Sequence, residues 1–375
     1  MEDLELKQLF GGVYHGRKVL LTGHTGFKGS WLALWLTRLG AEVTALALPP
    51  ATTPNHWETL DIDIDSRAID VRDGDAVAEA VRLSRPEIVF HLAAQPLVRQ
   101  SYRDPVANWS TNVMGTVHVL DACRAVDSLK AAIVVTSDKC YENRGWEWGY
   151  RETDSLGGHD PYSTSKAAAE FVVQSYRRSF FGEKGAPLIA SARAGNVFGG
   201  GDWSEDRLIP DLVRAVASSR SVEIRSPRAT RPWQHVLECL SGYLVLGQHL
   251  LDGDEDAASA WNFGPDNNGN RTVEELLLAM KANWPGISWI HSNRLEPHEA
   301  TMLHLDSSRA FHNLGWRPIW TFEEGVAATA LWYERFLGQR EVLSLSQLQA
   351  FERDATERAA VWTREPSGQA TRGAA

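Results

Sequence analysis

Tyr162 and Lys166 have the plainest chemical use in this sequence. They stand four apart in PYSTSKAAAE and so share one face of a predicted helix. A phenol is a poor base at its ordinary pKa near ~10, but a neighbouring ammonium favours the phenolate. The pair therefore suits removal of a proton from an alcohol. Ser137, Asp138 and Lys139 directly follow the apolar run AAIVVT at 131–136. Polar groups at the carboxyl end of a parallel strand lie where such sheets bind ligands. Ser137 can donate to a substrate hydroxyl or relay its proton. Asp138 and Lys139 add a second acid and a second amine, which alcohol oxidation alone does not need. Oxidation at one carbon acidifies the neighbouring C–H, so a base could take that proton while an acid protonates a departing hydroxyl. On spacing alone, a loop-capping Asp138 and a solvated Lys139 fit nearly as well.

Such chemistry needs an oxidant held against it. In RKVLLTGHTGFKGSW at 17–31, the run Val19–Leu21 precedes three glycines, Gly23, Gly26 and Gly29, and an apolar stretch follows. This predicts a buried strand, a tight turn and a helix, the form of a dinucleotide-binding turn. Gly23 lets the chain leave the strand sharply, Gly26 leaves room for a pyrophosphate, and Gly29 lets the helix sit close to the sheet. The phosphates would meet unpaired N–H groups at the positive helix end, with Thr25, Phe27 and Lys28 among the cofactor contacts. A glycine-rich turn without a ligand has the same spacing. The second strand, Val43–Leu48, ends at Pro49–Pro50 with no acid for an adenosine ribose. A third strand is expected at Ile69–Val71. There Asp70 either accepts from an adenine amine or is a solvated carboxylate. Glu87–Leu92 is the next strand, with Leu92, Ala93 and Ala94 allowing close approach to the cofactor. His91 reads as a buried strand residue.

Further helices are expected at Asp75–Ser84, Pro105–Val126 and Pro161–Tyr176, with a strand at Leu188–Arg193. This alternation over 17–200 favours an α/β fold with a doubly wound parallel sheet. After Gly199–Gly201 the pattern changes to a smaller mixed lobe. The expected division is a 1–16 extension, a 17–200 dinucleotide-binding domain, a 201–345 mainly substrate-binding lobe and a 346–375 flexible tail. The formal charge of −10 argues against a dedicated nucleic-acid binder. Cys123, Cys140 and Cys239 form neither a disulfide framework nor a zinc spacing, so no metal is expected. A reduced cytoplasm fits, with no secretory leader and no membrane span.

Several longer motifs carry a family resemblance. They are GHTGFKGSWL at 23–32, HLAAQPLVRQSY at 91–102, NVMGT at 112–116, TSDKCYEN at 136–143, YSTSK at 162–166, RAGNVFGGGDW at 193–203, DRLIPD at 206–211, RPWQHVLE at 231–238 and WNFGP at 261–265. With these the chain resembles the extended short-chain dehydrogenase/reductase superfamily, and within it the nucleotide-sugar 4,6-dehydratases of the CDP-glucose branch. The resemblance implies a Rossmann-type sheet, bound NAD, a CDP-glucose substrate and a homodimer or higher homo-oligomer. It implies that Tyr162 removes the C4 hydroxyl proton beside Ser137 and that Lys166 holds the nicotinamide ribose. Asp138 would protonate the departing C6 hydroxyl. Lys139 stands where related dehydratases carry the glutamate that takes the C5 proton; here it would act as base or stabilise the enolate. Asn196 and Arg231 would contact the sugar diphosphate. Arg207, Trp203 and His235 are weaker pocket candidates, with a packing role an equal reading for Trp203 and His235, and Gln95, Tyr102 and Asn112 would line the sugar or cofactor pocket. An epimerase on a nucleotide sugar and a non-catalytic NAD-dependent sensor are the rival readings.

Overall fold

The computed structural model describes residues 8–224, 226–266, 269–291 and 303–364. Six of its strands are β1 (Lys18–Thr22), β2 (Glu42–Ala47), β3 (Asp65–Ala68), β4 (Ile88–His91), β5 (Ala131–Val135) and β6 (Leu188–Ala194). With the strand Ala260–Phe263 they form a seven-stranded sheet in the order Ala260–Phe263, β6, β5, β4, β1, β2, β3. Every neighbouring pair is parallel. The strand order reverses between β1 and β4, the switch point at which such sheets open a ligand crevice.

Helices cover both faces, as buried parallel strands require. On one side Trp31, Trp35 and Leu36 of the helix Phe27–Arg38 meet Leu240, Tyr243 and Leu244 of the helix Val236–Leu251. On the other, Val77 and Val81 of Gly74–Ser84 join Val119 and Leu120 of Gly115–Cys123 and Val173 of Pro161–Ser179. A separate apolar cluster, with Leu212, Leu276, Met280 and Trp332, fills the later lobe.

Three expectations need correction. The third strand is Asp65–Ala68, not Ile69–Val71. Its sequence DSRA carries no apolar alternation because it is an edge strand, largely open to solvent. The boundary at 200 does not divide the sheet, since Ala260–Phe263 pairs with β6 and the helix Val236–Leu251 packs on it. The tail from 346 is not loose within the described residues. Ser344–Glu357 is a helix that buries Leu348, Phe351 and Ala355, and Trp362 beyond it is also buried. Trp35, Trp320 and Trp362 all lie against Phe351, and Trp362 stacks on Phe10 of the short turn Leu9–Gly12, centroids 4.8 Å apart. Of the expected extension and tail, residues 1–7 and 365–375 lie outside the described residues.

Truncating Phe351 to alanine should therefore lower stability by about 3–5 kcal/mol, the usual cost of removing a fully buried phenylalanine. Urea unfolding checks this. A midpoint equal to that of the unaltered chain would mean that the C-terminal helix adds nothing to the core.

Candidate active site

The glycine turn is built by close approach. Gly23 has φ +81°, and a Cβ there would lie 2.7 Å from the Ala93 nitrogen. A Cβ on Gly29 would lie 2.1 Å from the Gly23 carbonyl oxygen, so the helix and the strand can meet only with no side chain between them. At Gly26, by contrast, an added Cβ would find only the Gly23 oxygen, at 3.4 Å. Gly26 is the N-cap of Phe27–Arg38, no side chain caps that helix, and no acid stands in its first turn. Open space before bare N–H groups suits a pyrophosphate. Thr25 donates to the Leu48 carbonyl at 2.9 Å. The Thr22 hydroxyl accepts from the Leu92 and Ala93 amides, both at 3.1 Å, fixing the loop that leads into Ala94 beside the turn. Asp70 is held by Arg72, with contacts at 2.5 and 2.9 Å.

The Tyr162 helix is pinned at its start. Asp160 accepts from the Ser163 amide at 2.9 Å and the Ser163 hydroxyl at 2.6 Å. Ser101 accepts from the Tyr162 amide at 3.1 Å, and Asn108 donates to the Pro161 carbonyl at 2.9 Å. Farther along, Lys166 Nζ donates to the Val135 carbonyl at 3.3 Å, at the end of β5. This brings Tyr162 and Lys166 to the turn that carries Ser137, Asp138 and Lys139. All but Lys139, which is half-buried, are shut away from solvent.

Burial sets the proton affinities. It pushes the Tyr162 phenol up to about 12, against the pull of the neighbouring Ser137 hydroxyl and Arg207. It pulls Lys166 down to about 8, with Lys28 acting in the same direction. It raises the Asp138 carboxyl above its ordinary range, although Lys139, Ser137, Lys28 and Arg231 all oppose this. Asp138 Oδ1 accepts from Ser137 at 3.0 Å, whereas Oδ2 is buried with no hydrogen-bond partner among the described residues. A carboxyl that favours its proton and keeps one oxygen unengaged is equipped to donate. Gly195, the residue before Asn196, lies against that oxygen: a Cβ there would sit 3.2 Å from it.

Other expected residues divide. Asn196 is half-buried just past β6. Arg231 is buried, donates to the Thr230 carbonyl at 2.9 Å, and acts electrostatically on Asp138. Arg207 pairs with Asp202 at 3.1 Å and acts on Tyr162 and Lys28. Trp203 and His235 are both buried among aromatic rings. Trp203 is a core residue edge-on to Tyr333 and packed on Phe336. His235 is enclosed by Trp31, Phe198 and Trp320, and its Nδ1 accepts from the Leu237 amide at 3.4 Å. Gln95 spends its side-chain amide on the Leu97 backbone, and Tyr102 is 59% exposed while its neighbour Ser101 touches the Tyr162 helix. Asn112 bonds the Gln95 backbone and Ser165, and so clamps the β4 loop to that helix. His91 is buried between Thr22 and Thr116.

Sequence reasoning missed Tyr243, whose hydroxyl lies 3.5 Å from Lys28 Nζ, and the buried pair Glu170–Arg193. Glu170 stands four residues after Lys166, a helical spacing that could have drawn notice. Among the described residues, no group of His, Cys, Asp or Glu could hold a metal ion, and no helix is long and apolar enough to cross a membrane.

The folded Asp138 binds its proton more tightly than the unfolded chain. Its contribution to stability is thus fully present below the ordinary value of 3.8 and lost as pH rises through the raised folded value. Asp138→Asn cannot ionise. Its unfolding midpoint in urea should exceed the native one by an amount that grows as pH rises above the ordinary carboxyl value of 3.8 and levels off once the raised folded value is passed; a difference that does not change with pH would contradict the buried acid.

Known proteins share this framework. The family model described as GDP-mannose 4,6 dehydratase matches residues 20–329. A CDP-glucose 4,6-dehydratase of Salmonella typhimurium is 46% identical over 341 residues, 89% of this chain and 95% of that protein. A dTDP-glucose 4,6-dehydratase of Xanthomonas campestris pv. campestris is 28% identical over 337 residues, 84% of this chain and 92% of that one. Among solved structures, the dTDP-glucose 4,6-dehydratase DesIV from Streptomyces venezuelae, with NAD and TYD bound, superposes with a TM-score of 0.70 at 22% identity over 84% of this chain and 97% of its own. A UDP-glucose 4-epimerase from Thermotoga maritima gives 0.74 at 21% identity, over 85% of this chain and 99% of that one.

Proposed function

The chain belongs to the GDP-mannose 4,6 dehydratase family, and from that premise we propose that it is a CDP-glucose 4,6-dehydratase, converting CDP-glucose to CDP-4-dehydro-6-deoxyglucose and water. The observation that carries the reading is Asp138, a buried acid with one unengaged oxygen in the same cleft as Tyr162 and Lys166. An epimerase has no use for such an acid, because it keeps the 6-hydroxyl.

NAD is the cofactor of this reading, and Gly23, Gly26, Gly29, Phe27 and Lys28 would hold it at the open turn. When bound, it would supply the hydride acceptor for C4 and the hydride donor for C6. Tyr162, with Ser137, removes the C4 hydroxyl proton. Its phenol is held high by burial, while the Ser137 hydroxyl and Arg207 pull it back toward the phenolate, and Lys166, one turn along the helix, would add to that pull. The ketone acidifies the C5 proton, which Lys139 takes or whose enolate it stabilises. Asp138 gives its proton to the C6 hydroxyl as it leaves. Arg231 and Arg207 would suit the diphosphate, because a guanidinium fork meets two phosphoryl oxygens, and Asn196, just past β6, would join them.

A homodimer belongs to the same proposal. Val106, Trp109 and Met114 on one helical stretch, and Phe171 and Phe180 on or just beyond the Tyr162 helix, are exposed apolar side chains, a composition suited to a twofold interface. Light scattering should give twice the 41.6 kDa chain mass; a monomer at micromolar concentration would refute it.

Incubation with CDP-glucose and its UDP, dTDP and GDP counterparts should yield a product lighter by one water from CDP-glucose, with deuterium label at C4 recovered at C6. No loss of water from any of the four would end the dehydratase reading. Tyr162→Phe and Asp138→Asn should each lower kcat by about 10²–10⁴-fold. Lys139→Ala at the native rate would remove that residue from the chemistry.

A further inference from the structure

We propose that Glu170 is a positioning residue of this centre: its buried carboxylate fixes the Ser137–Lys139 turn against the Tyr162 helix and serves as counter-charge to Lys166. The inference rests on the dehydratase reading for its rate effects, though not for its electrostatics.

Glu170 is buried and accepts three hydrogen bonds, one from the end of β5 and two from β6. Thr136 Oγ1 donates to Oε1 at 2.5 Å, while Ser191 Oγ and Arg193 Nη2 donate to Oε2, both at 2.7 Å. Thr136 is the residue before Ser137. Arg193 is three residues before Asn196 on β6. Glu170 itself lies one helical turn beyond Lys166 and two beyond Tyr162, on the same face. One carboxylate thus ties together the three segments that carry the proposed catalytic and diphosphate contacts.

Arg193 extends the bracing to the far side of the turn. Its Nη1 donates to the Tyr141 hydroxyl at 2.7 Å, and its guanidinium lies 4.9 Å from that ring's centroid. The Tyr141 hydroxyl donates to Asn262 Oδ1 at 2.7 Å. Asn262 donates in turn to the carbonyls of Tyr150 and Asp306, at 2.8 and 3.0 Å. The turn is therefore held before Ser137, through Thr136, and after Lys139, through Tyr141. Both holds meet at the Glu170–Arg193 pair. An apolar pair of equal volume could join these elements without desolvating two charges, so cohesion alone does not call for an ion pair here.

The charge also has a use. The titratable groups acting on the Lys166 ammonium are Lys28 from the first helix, Cys140 from the turn, His91 from β4 and Glu170 from its own helix. Lys28 disfavours the ammonium, as burial does, and Glu170 opposes both. Hydrogen bonds and Arg193 keep Glu170 ionised despite its burial. Removing its charge makes Lys166 lose its proton at a lower pH.

Glu170→Gln keeps the side-chain shape and the acceptor for Thr136. It should lower kcat on the order of 10–100-fold, with KM for the nucleotide sugar changed less than about threefold, and move the alkaline limb of the kcat–pH profile to lower pH. The double variant Glu170→Gln/Arg193→Met removes both charges and so guards against a fold lost to an unpaired arginine. It should melt near the native temperature yet keep the slow rate and the displaced limb. The Lys166 titration, followed by NMR in protein carrying isotope-labelled lysine, should shift downward in both variants. A native rate and pH profile in a folded variant, or an unshifted Lys166 titration, overturns the assignment. If the unaltered chain releases no water from any nucleotide sugar, the dehydratase reading fails by itself, and the Lys166 titration still decides the role of Glu170 as counter-charge.

Discussion

Two absent side chains, at Gly23 and Gly29, set the spacing of the whole cleft. The carbonyl of Gly23 lies where a methyl group on Gly29 would have to sit, and the Ala93 backbone lies where one on Gly23 would. The first strand, its helix and the loop after β4 are therefore in backbone contact. That contact determines where the helix begins and hence where Lys28 reaches, which is toward Tyr243 on the helix that covers the opposite part of the sheet. It also presents Ala93 and Ala94 close beside the turn. The glycines matter less as flexible residues than as a fixed separation from which the rest of the crevice is measured.

Inside that crevice the governing cost is desolvation. Tyr162, Lys166, Lys28 and Asp138 all have proton affinities moved toward their neutral forms by burial. For Asp138 and Lys166 the shift is useful, whereas for Tyr162 it must be offset by positive charge. A neutral acid can donate, and an amine near neutrality responds to small changes in its surroundings. Around them Glu170 and Arg193 hold each other in their charged forms. The site is thus a small set of groups held toward neutrality by burial, set within a frame that includes the Glu170–Arg193 ion pair.

How much of this could be read from the sequence depended on range. The strand–turn–helix at 18–38 and the Tyr162–Lys166 face are local patterns, visible because an apolar run or a four-residue spacing carries the whole signal. β3 was not visible, because an edge strand exposed to water has no need of apolar alternation. The helix Ser344–Glu357 was misjudged for another reason. Its charges mask an inward stripe at Leu348, Phe351 and Ala355, a helical spacing that was present to be counted. Trp203 and His235 sit in motifs that also hold polar ligand candidates, but a motif does not say which way a side chain faces, and both face into aromatic clusters. The Glu170–Arg193 pair joins residues 23 apart whose meeting depends on how a helix lies on a strand, which no local pattern encodes.

The stacking of Trp362 on Phe10, with Phe351 against Trp35, bears on how the protein is made. The first helix leaves the ribosome with a tryptophan-rich face whose partners include residues more than 300 positions later in the chain. At ordinary elongation rates, those partners follow roughly 15–60 s afterwards. The sheet edge is also completed late, by Ala260–Phe263. Trp31 meets His56 and Trp35 meets Phe10 early in the chain, but the cover of that face is complete only once the last helix has been made.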